Sequence, residues 1–167
     1  VPELLARILA GRGVAVEEVA TFLDPTVRAL MPDPDLLADM PAAAARLADA
    51  VGRGETVAIF GDYDVYGAPS SAALARYLRQ CGLAPMIHIP DRLFEGYGPN
   101  VEAVRALAAR GATLLVTVDC GTTSHEPLAQ ARELGLDVVV IDHHLADEAL
   151  PPALAVVNPN RLDDLSK

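Results

Sequence analysis

The chain has 167 residues, of which 51% are hydrophobic and 22% are charged. A chain of this size buries enough surface to fold without disulfides or a structural metal, and its composition excludes a wholly disordered protein. The 13 basic and 23 acidic residues give a formal net charge of −10, which disfavours a nucleic-acid partner unless bound cations offset it.

The sequence shows neither a membrane span nor a secretory signal. No apolar run approaches the ~18 residues of a membrane helix, and Val1-Pro2-Glu3 does not open a basic region followed by an apolar stretch. Cys81 and Cys120 form no CxxC pair, which favours reduced thiols. We therefore expect a cytoplasmic protein that makes no membrane contact.

The first third of the chain has helical patterns and no candidate strand. Apolar residues with helical spacing predict helices over residues 4–9 and 16–23. A proline-rich break at residues 31–35 follows, and a third helix is predicted after Asp39. We interpret residues 1–55 as an N-terminal helical segment.

From Thr56 onwards, strands alternate with helices. Short apolar runs predict strands at residues 57–60, 86–89, 113–118, 137–141 and 155–157. Helices are predicted at residues 69–80, from residue 100 onwards, and at residues 125–134. This alternation predicts an α/β domain over residues 56–167, with a mostly parallel β-sheet of four to five strands and helices on both faces.

Acidic and imidazole side chains follow three of the predicted strands. The groups are Asp62 and Asp64 after the first strand, Asp119 after the third, and Asp142-His143-His144 after the fourth. Because the carboxyl ends of parallel strands meet at one edge of a sheet, these side chains should lie close together. Carboxylate oxygens and imidazole nitrogens suit Mn²⁺ or Mg²⁺ better than a structural zinc.

Each group also has a structural interpretation. Asp62, Asp64 and Asp119 could be turn residues at the starts of helices. Two adjacent imidazoles, His143 and His144, have little structural purpose at a strand end. The convergence of all three groups on one edge favours a metal site.

Three further features bear on function. Cys120 has no adjacent base and is predicted to be a packed residue rather than a nucleophile. Asp163 and Asp164 are predicted to form a solvated chain end. The only lysine is Lys167, which excludes phosphotransferases of the receiver or haloacid-dehalogenase type because these need a lysine in the pocket.

Several stretches together resemble the DHH phosphoesterase superfamily. Its three motifs are matched by residues 57–65, 118–121 and 142–144. Within the superfamily, the chain resembles the RecJ-type single-stranded-DNA-specific 5′→3′ exonucleases over essentially its whole length. That closer likeness lies in Met31-Pro32-Asp33-Pro34, Pro90-Asp91-Arg92, Glu95-Gly96-Tyr97-Gly98 with Asn100, and Asn158-Pro159-Asn160-Arg161.

The resemblance implies a two-metal phosphodiesterase that removes nucleotides from the 5′ end of single-stranded DNA, with Mn²⁺ or Mg²⁺ as cofactor. It implies catalytic roles for Asp62, Asp64, Asp119, His143 and His144. It implies metal ligation by Asp62, Asp64, Asp119, Asp142 and His143. Asp119 would bridge the two ions, and Asp142 and His144 would ligate, orient ligands or contact the phosphate.

Two departures from the family pattern predict impaired activity. Tyr66 stands where the family's first motif has a third aspartate, and a neutral phenol is a poor ligand for a hard cation. One metal position should therefore be weakened or lost. The family also continues beyond Lys167 with a fourth acidic motif, a second catalytic-core domain and an OB-fold for single-stranded DNA. We therefore expect this chain to be truncated before the second domain.

Three functions remain open on the sequence. The first is an exonuclease fragment that acts by metal-assisted phosphodiester hydrolysis. The second is a non-catalytic DHH domain kept as a fold or binding module, which Tyr66 and the missing fourth acid favour. The third is another DHH phosphoesterase that acts on short oligonucleotides or small phosphates, and the Gly96-Tyr97-Gly98 and Asn158–Arg161 stretches count against it. Protein partners are unknown.

Overall fold

The computed structural model describes residues 2–166, and over this range it contains seven α-helices and five β-strands. The helices are α1 (Glu3–Gly11), α2 (Val19–Leu23), α3 (Val27–Leu30), α4 (Met40–Arg53), α5 (Gly67–Gln80), α6 (Val101–Ala109) and α7 (His125–Glu133). The strands are β1 (Val57–Gly61), β2 (Met86–His88), β3 (Leu114–Val118), β4 (Asp137–Ile141) and β5 (Ala155–Val157). No helix in this range has the length and apolar character needed to cross a membrane.

The chain divides into two compact units, Val1–Asp33 and Pro34–Lys167. The first unit holds α1, α2 and α3, with a 3-10 turn at Val16–Glu18, and its helical character agrees with the sequence prediction. Thr26 caps α3, because its hydroxyl accepts a hydrogen bond from the N–H of Ala29 at 3.2 Å.

The second unit is built on one parallel sheet with the strand order β2-β1-β3-β4-β5. The predicted α/β fold is therefore confirmed. The strands form where apolar, β-branched residues run together, and β1 and β3 are buried along their whole length. Helix α5 begins at Gly67, two residues before its predicted start. The Asp64 carboxylate accepts the N–H groups of Tyr66 and Gly67 and so stabilises this first turn.

Helices cover both faces of the sheet. On one face, α6 and α7 bury side chains against Phe60, Leu115 and Val140. On the other face, α4 and α5 pack against Ile59, Val116 and the other strand residues that point to that side. Because successive strand residues point to opposite faces, the apolar runs of the central strands supply both cores at once.

The start of α4 is joined to the segment after β5. Arg161 is buried and its Nη1 donates to Asp39 Oδ2 at 2.6 Å, while its Nη2 contacts Asp163 Oδ2 at 2.7 Å. Asp164 is also buried and accepts the N–H of Ala38 at 2.9 Å. Asp163 is exposed, as predicted, although it pairs with Arg161. The prediction that Asp164 is solvated is wrong, because it is buried and accepts a hydrogen bond from Ala38, 126 positions away along the chain.

The strand order creates a crevice at the carboxyl edge of the sheet. After β1 the chain enters α5 on one face, and after β3 it enters α7 on the opposite face. The loops that follow these two adjacent strands therefore diverge. In open parallel sheets such a switch point is where ligands bind.

Candidate metal centre

The three predicted groups come together at this crevice. Asp62 follows β1, Asp119 follows β3, and the Asp142-His143-His144 run follows β4. Potential ligand atoms of Asp62, Asp64 and Asp119 lie within 4.8 Å of one another, and so do those of Asp119, His143 and His144. The two sets share Asp119.

The acids beneath the crevice have oxygens without partners. Asp62 and Asp119 are only 4% and 6% exposed. Their atoms Asp62 Oδ1 and Asp119 Oδ2 accept no hydrogen bond from residues 2–166. Leaving a buried carboxylate oxygen unsatisfied is unfavourable, so the site fits a divalent cation that binds oxygen. Mn²⁺ also accepts the imidazole nitrogens present here.

The backbone at Asp119 is in the left-handed region, with φ +62°. This conformation is uncommon outside glycine, although aspartate tolerates it better than most residues. Gly121 follows with φ +111°, and a Cβ at that position would lie 2.5 Å from Thr117 Oγ1. The tight turn after β3 thus directs the Asp119 side chain into the crevice.

Burial and hydrogen bonds shift the pKa values of two acids in the site in opposite directions. Burial, and then the neighbouring carboxylate of Asp64, raise the pKa of Asp119. The backbone N–H groups of Gly67 and Tyr66 lower the pKa of Asp64. His143 Nε2 lies 2.9 Å from Asp119 Oδ1 and favours the ionised form of that aspartate.

Asp142 holds the loop that carries both histidines. Its Oδ1 accepts the N–H groups of His143 and His144 at 2.8 and 3.2 Å and lies 2.7 Å from Nδ1 of His144. Its Oδ2 accepts the N–H of Thr122 at 3.0 Å. Burial opposes ionisation of Asp142, but the hydrogen bonds from His144 and Thr122 hold its pKa below the usual value. Both oxygens thus have protein partners, and the ligand role of Asp142 stays a prediction.

His144 is oriented by two side chains. The hydrogen bond to Asp142 raises the pKa of His144. The Tyr97 hydroxyl donates to the carbonyl oxygen of Asp119 at 3.3 Å and lies 3.1 Å from His144 Nδ1. Tyr97 lies in the Gly96-Tyr97-Gly98 stretch, which sequence reasoning singled out without giving it a role. Burial raises the pKa of its phenol, so it stays a neutral donor.

Tyr66 lies beside the candidate metal centre. Its side chain is 66% exposed, and its ring centroid lies 5.9 Å from that of His143. Together with Asp119 and His143, it lines a shallow depression of about 200 Å³. The adjacent Gly67 is required sterically, since a Cβ there would lie 2.4 Å from the carbonyl oxygen of Asp62.

Cys120 is fully buried directly after Asp119. Its thiol lies 3.5 Å from the carbonyl oxygen of Val118 and 3.8 Å from that of Phe60. Burial raises the pKa of the thiol, so the reactive thiolate is disfavoured. The structure thus bears out the prediction that Cys120 is a packed residue.

The fold and the crevice define an α/β domain with an acid-and-histidine site at its strand-order switch. Residues 56–166 match the family described as DHH family, N-terminal domain, and the chain belongs to this family. The resemblance found in the motifs is therefore confirmed.

Within the family, the chain is similar to single-stranded-DNA-specific exonuclease RecJ. It is 37% identical over 158 residues to the protein of Bacillus subtilis, covering 95% of this chain and 20% of that one. It is 39% identical over 163 residues to that of Escherichia coli, covering 97% and 28%. A crystal structure of RecJ from Thermus thermophilus in complex with Mn²⁺ matches with a TM-score of 0.73 and 33% identity, over 95% of this chain and 22% of that one.

The chain thus spans between a fifth and a third of the length of these relatives. Activity and substrate of the whole protein are therefore matters for proposal.

Proposed function

We propose that this domain binds divalent cations, with Mn²⁺ as the preferred ion, through Asp62, Asp64, Asp119 and His143. We further propose that it serves phosphodiester hydrolysis at the 5′ end of single-stranded DNA, in the cytoplasm. The observation that carries the cation site is the pair of buried carboxylate oxygens without partners, on Asp62 and Asp119. The relatives described as single-stranded-DNA-specific exonucleases support the substrate class.

When bound, divalent cations polarise a phosphate and activate water for attack on it. The chain's own residues supply the rest of the chemistry. Asp62 and Asp119 hold fixed negative charge at the floor of the crevice. His144 has a side chain that is 46% exposed and is tethered by Asp142 and Tyr97, so its imidazole is presented to a phosphate group from a defined position.

The cations also resolve the conflict between an acidic protein and an acidic substrate. The net charge of −10 repels DNA at long range. Bound ions neutralise the acids of the crevice and present positive charge at that point. DNA binding is therefore expected to need the cation.

A second candidate is a non-catalytic DHH domain kept as a binding module. Tyr66 is the observation that favours it, because its phenol replaces a carboxylate at the edge of the metal centre. On either candidate, we expect little or no nuclease turnover by this chain alone.

Isothermal titration calorimetry with Mn²⁺ tests the cation site. The parent chain should bind Mn²⁺, and Asp119→Asn should weaken binding by at least about 100-fold, since even outer-shell partners are worth about 10–100-fold. Asp49→Asn removes the same charge from the exposed face of α4 and serves as the matched control. Equal Mn²⁺ affinity of parent and Asp119→Asn would refute the site.

Digestion of 5′-labelled single-stranded DNA, with and without Mn²⁺, tests the activity. Turnover that needs Mn²⁺ and disappears in Asp119→Asn would establish the nuclease and overturn our expectation of an inactive isolated chain. Mn²⁺ binding without turnover by the parent chain is expected on both candidates, whereas turnover gained in Tyr66→Asp would favour the nuclease over the binding module.

A further inference from the structure

The stretch Asn158–Arg161, which follows β5, is in contact with the metal centre although no ligand comes from it. We call these four residues the brace. Their side chains hydrogen-bond to the loops after β3 and β4 and to the start of α4. The brace thus connects the rigid frame of the sheet to the loop that carries the histidines.

Asn158 joins three loops through one side chain. It is fully buried, and its Nδ2 donates to Thr122 Oγ1 at 2.8 Å and to the carbonyl oxygen of His144 at 2.9 Å. Its Oδ1 accepts the N–H of Asn160 at 2.8 Å. A buried amide whose donor and acceptor are both hydrogen-bonded holds its partners in place, because breaking any of these hydrogen bonds would leave a buried polar atom unsatisfied.

Asn160 holds the neighbouring histidine. Its Nδ2 donates to the carbonyl oxygen of His143. The two asparagines therefore bind the carbonyl oxygens of two consecutive residues, His143 and His144.

Arg161 anchors the other end of the brace. Its Nη1 donates to the carbonyl oxygen of Val156 and to Asp39 Oδ2, both at 2.6 Å, and the same Asp39 oxygen accepts the N–H of Val156. The Asp163 carboxylate accepts hydrogen bonds from Nε and Nη2 of the guanidinium at 2.9 and 2.7 Å. A two-point contact of this kind fixes the guanidinium plane and with it the backbone of the brace.

The histidines need such a support. The side chains of His143 and His144 are 58% and 46% exposed, so packing restrains them weakly. Their positions depend on hydrogen bonds instead: those of Asp142 from one side, and those of the brace from the other.

We propose that Asn158 and Asn160 are positioning residues that fix the loop of His143 and His144 and thereby set His143 for cation binding. This inference rests on the proposed cation site. Outer-shell partners of metal ligands are commonly worth about 10–100-fold in metal affinity, because they restrict the ligand to its binding geometry.

The test compares the parent chain with Asn160→Ala, Asn158→Ala and Leu107→Ala. Asn160 is partly exposed, so its truncation should leave the fold intact. Leu107 is buried in α6 away from the brace, and its truncation lowers stability without touching the histidine loop. The readouts are Mn²⁺ affinity by calorimetry, thermal melting, and the imidazole ¹⁵N resonances of His143 and His144 in the metal-free chain.

Both asparagine variants should bind Mn²⁺ about 10-fold or more weaker than the parent and shift the imidazole resonances before any metal is added. Leu107→Ala should melt at lower temperature and keep the parent's affinity and resonances. If the parent binds Mn²⁺ and Asn160→Ala and Asn158→Ala bind it equally well, the positioning role is overturned and the cation site stands. If the parent itself does not bind Mn²⁺, the proposed site fails and the inference fails with it.

Discussion

Replacing Tyr66 by aspartate should restore a carboxylate at the edge of the metal centre and tighten Mn²⁺ binding. The Tyr66 ring lies 5.9 Å from the ring of His143, and its side chain is largely exposed. The relevant dielectric is therefore close to that of water. If a separation on the order of 6 Å is assumed between the added charge and a divalent cation, Coulomb's law gives about 1.4 kcal/mol at a dielectric of ~80, and several times more at ~20.

An affinity gain of at least about tenfold follows from that lower figure. Repulsion from Asp64 and Asp119 in the metal-free chain reduces the stability of the variant, but the bound cation removes this penalty. The gain should therefore appear in Mn²⁺ affinity and in a larger Mn²⁺-dependent rise in melting temperature.

Calorimetric titration of Mn²⁺ into Tyr66→Asp and Tyr66→Asn separates the effect of the added charge on Mn²⁺ affinity from the effect of the smaller side chain. The asparagine variant removes the aromatic ring and has nearly the shape of aspartate, but it adds no charge. If both variants bind Mn²⁺ with the same affinity, our account of Tyr66 as a substituted ligand is refuted. If only the aspartate gains, the digestion of 5′-labelled single-stranded DNA should be measured for the same pair.

Two further predictions concern the stability of the fold. Gly67→Ala should destabilise the fold by about 1–3 kcal/mol, because its Cβ would lie 2.4 Å from the backbone of Asp62. Urea unfolding measures this loss of stability. Gly52→Ala is the control, since a Cβ at that position would meet nothing within 4 Å. Glu55 has its pKa lowered chiefly by the hydrogen bond from Arg46, so its contribution to stability is present above the unfolded pKa near 4.5 and is lost as pH falls through the folded value. Glu55→Gln should therefore lower stability at pH 7 and make stability depend less on pH below about 4.5; identical pH profiles for parent and variant would contradict this.

Much of the fold was accessible from the sequence because its signals are local. Each strand is a short run of apolar residues that must be buried, and each helix between strands has its own spacing and end signals. The acids at the carboxyl edge followed from the same reasoning, since parallel strands place their ends together. Asp62, Asp119 and His143 could be assigned to one site from their places along the chain, and the structure brings them together there.

What the sequence could not show depends on pairs that are far apart along the chain. Asp164 and the N–H of Ala38 are separated by 126 positions, and Arg161 and Asp39 by 122. Nothing local distinguishes Asp164 from a solvated acid, so its burial was not predicted. The same holds for Asn158, whose hydrogen-bond partners are defined only once β3, β4 and β5 lie side by side.

The sequence by itself therefore determined which acids and histidines meet at the carboxyl edge and which segments form the sheet. The tertiary structure decided how those residues are held. Both oxygens of Asp142 accept hydrogen bonds from the protein, and Asp119 belongs to both sets of potential ligands. The backbone carbonyl oxygens of the two histidines accept hydrogen bonds from Asn158 and Asn160. The physical reason is that hydrophobic periodicity depends on residues close together in the sequence, whereas hydrogen bonds depend on which groups lie close together in space.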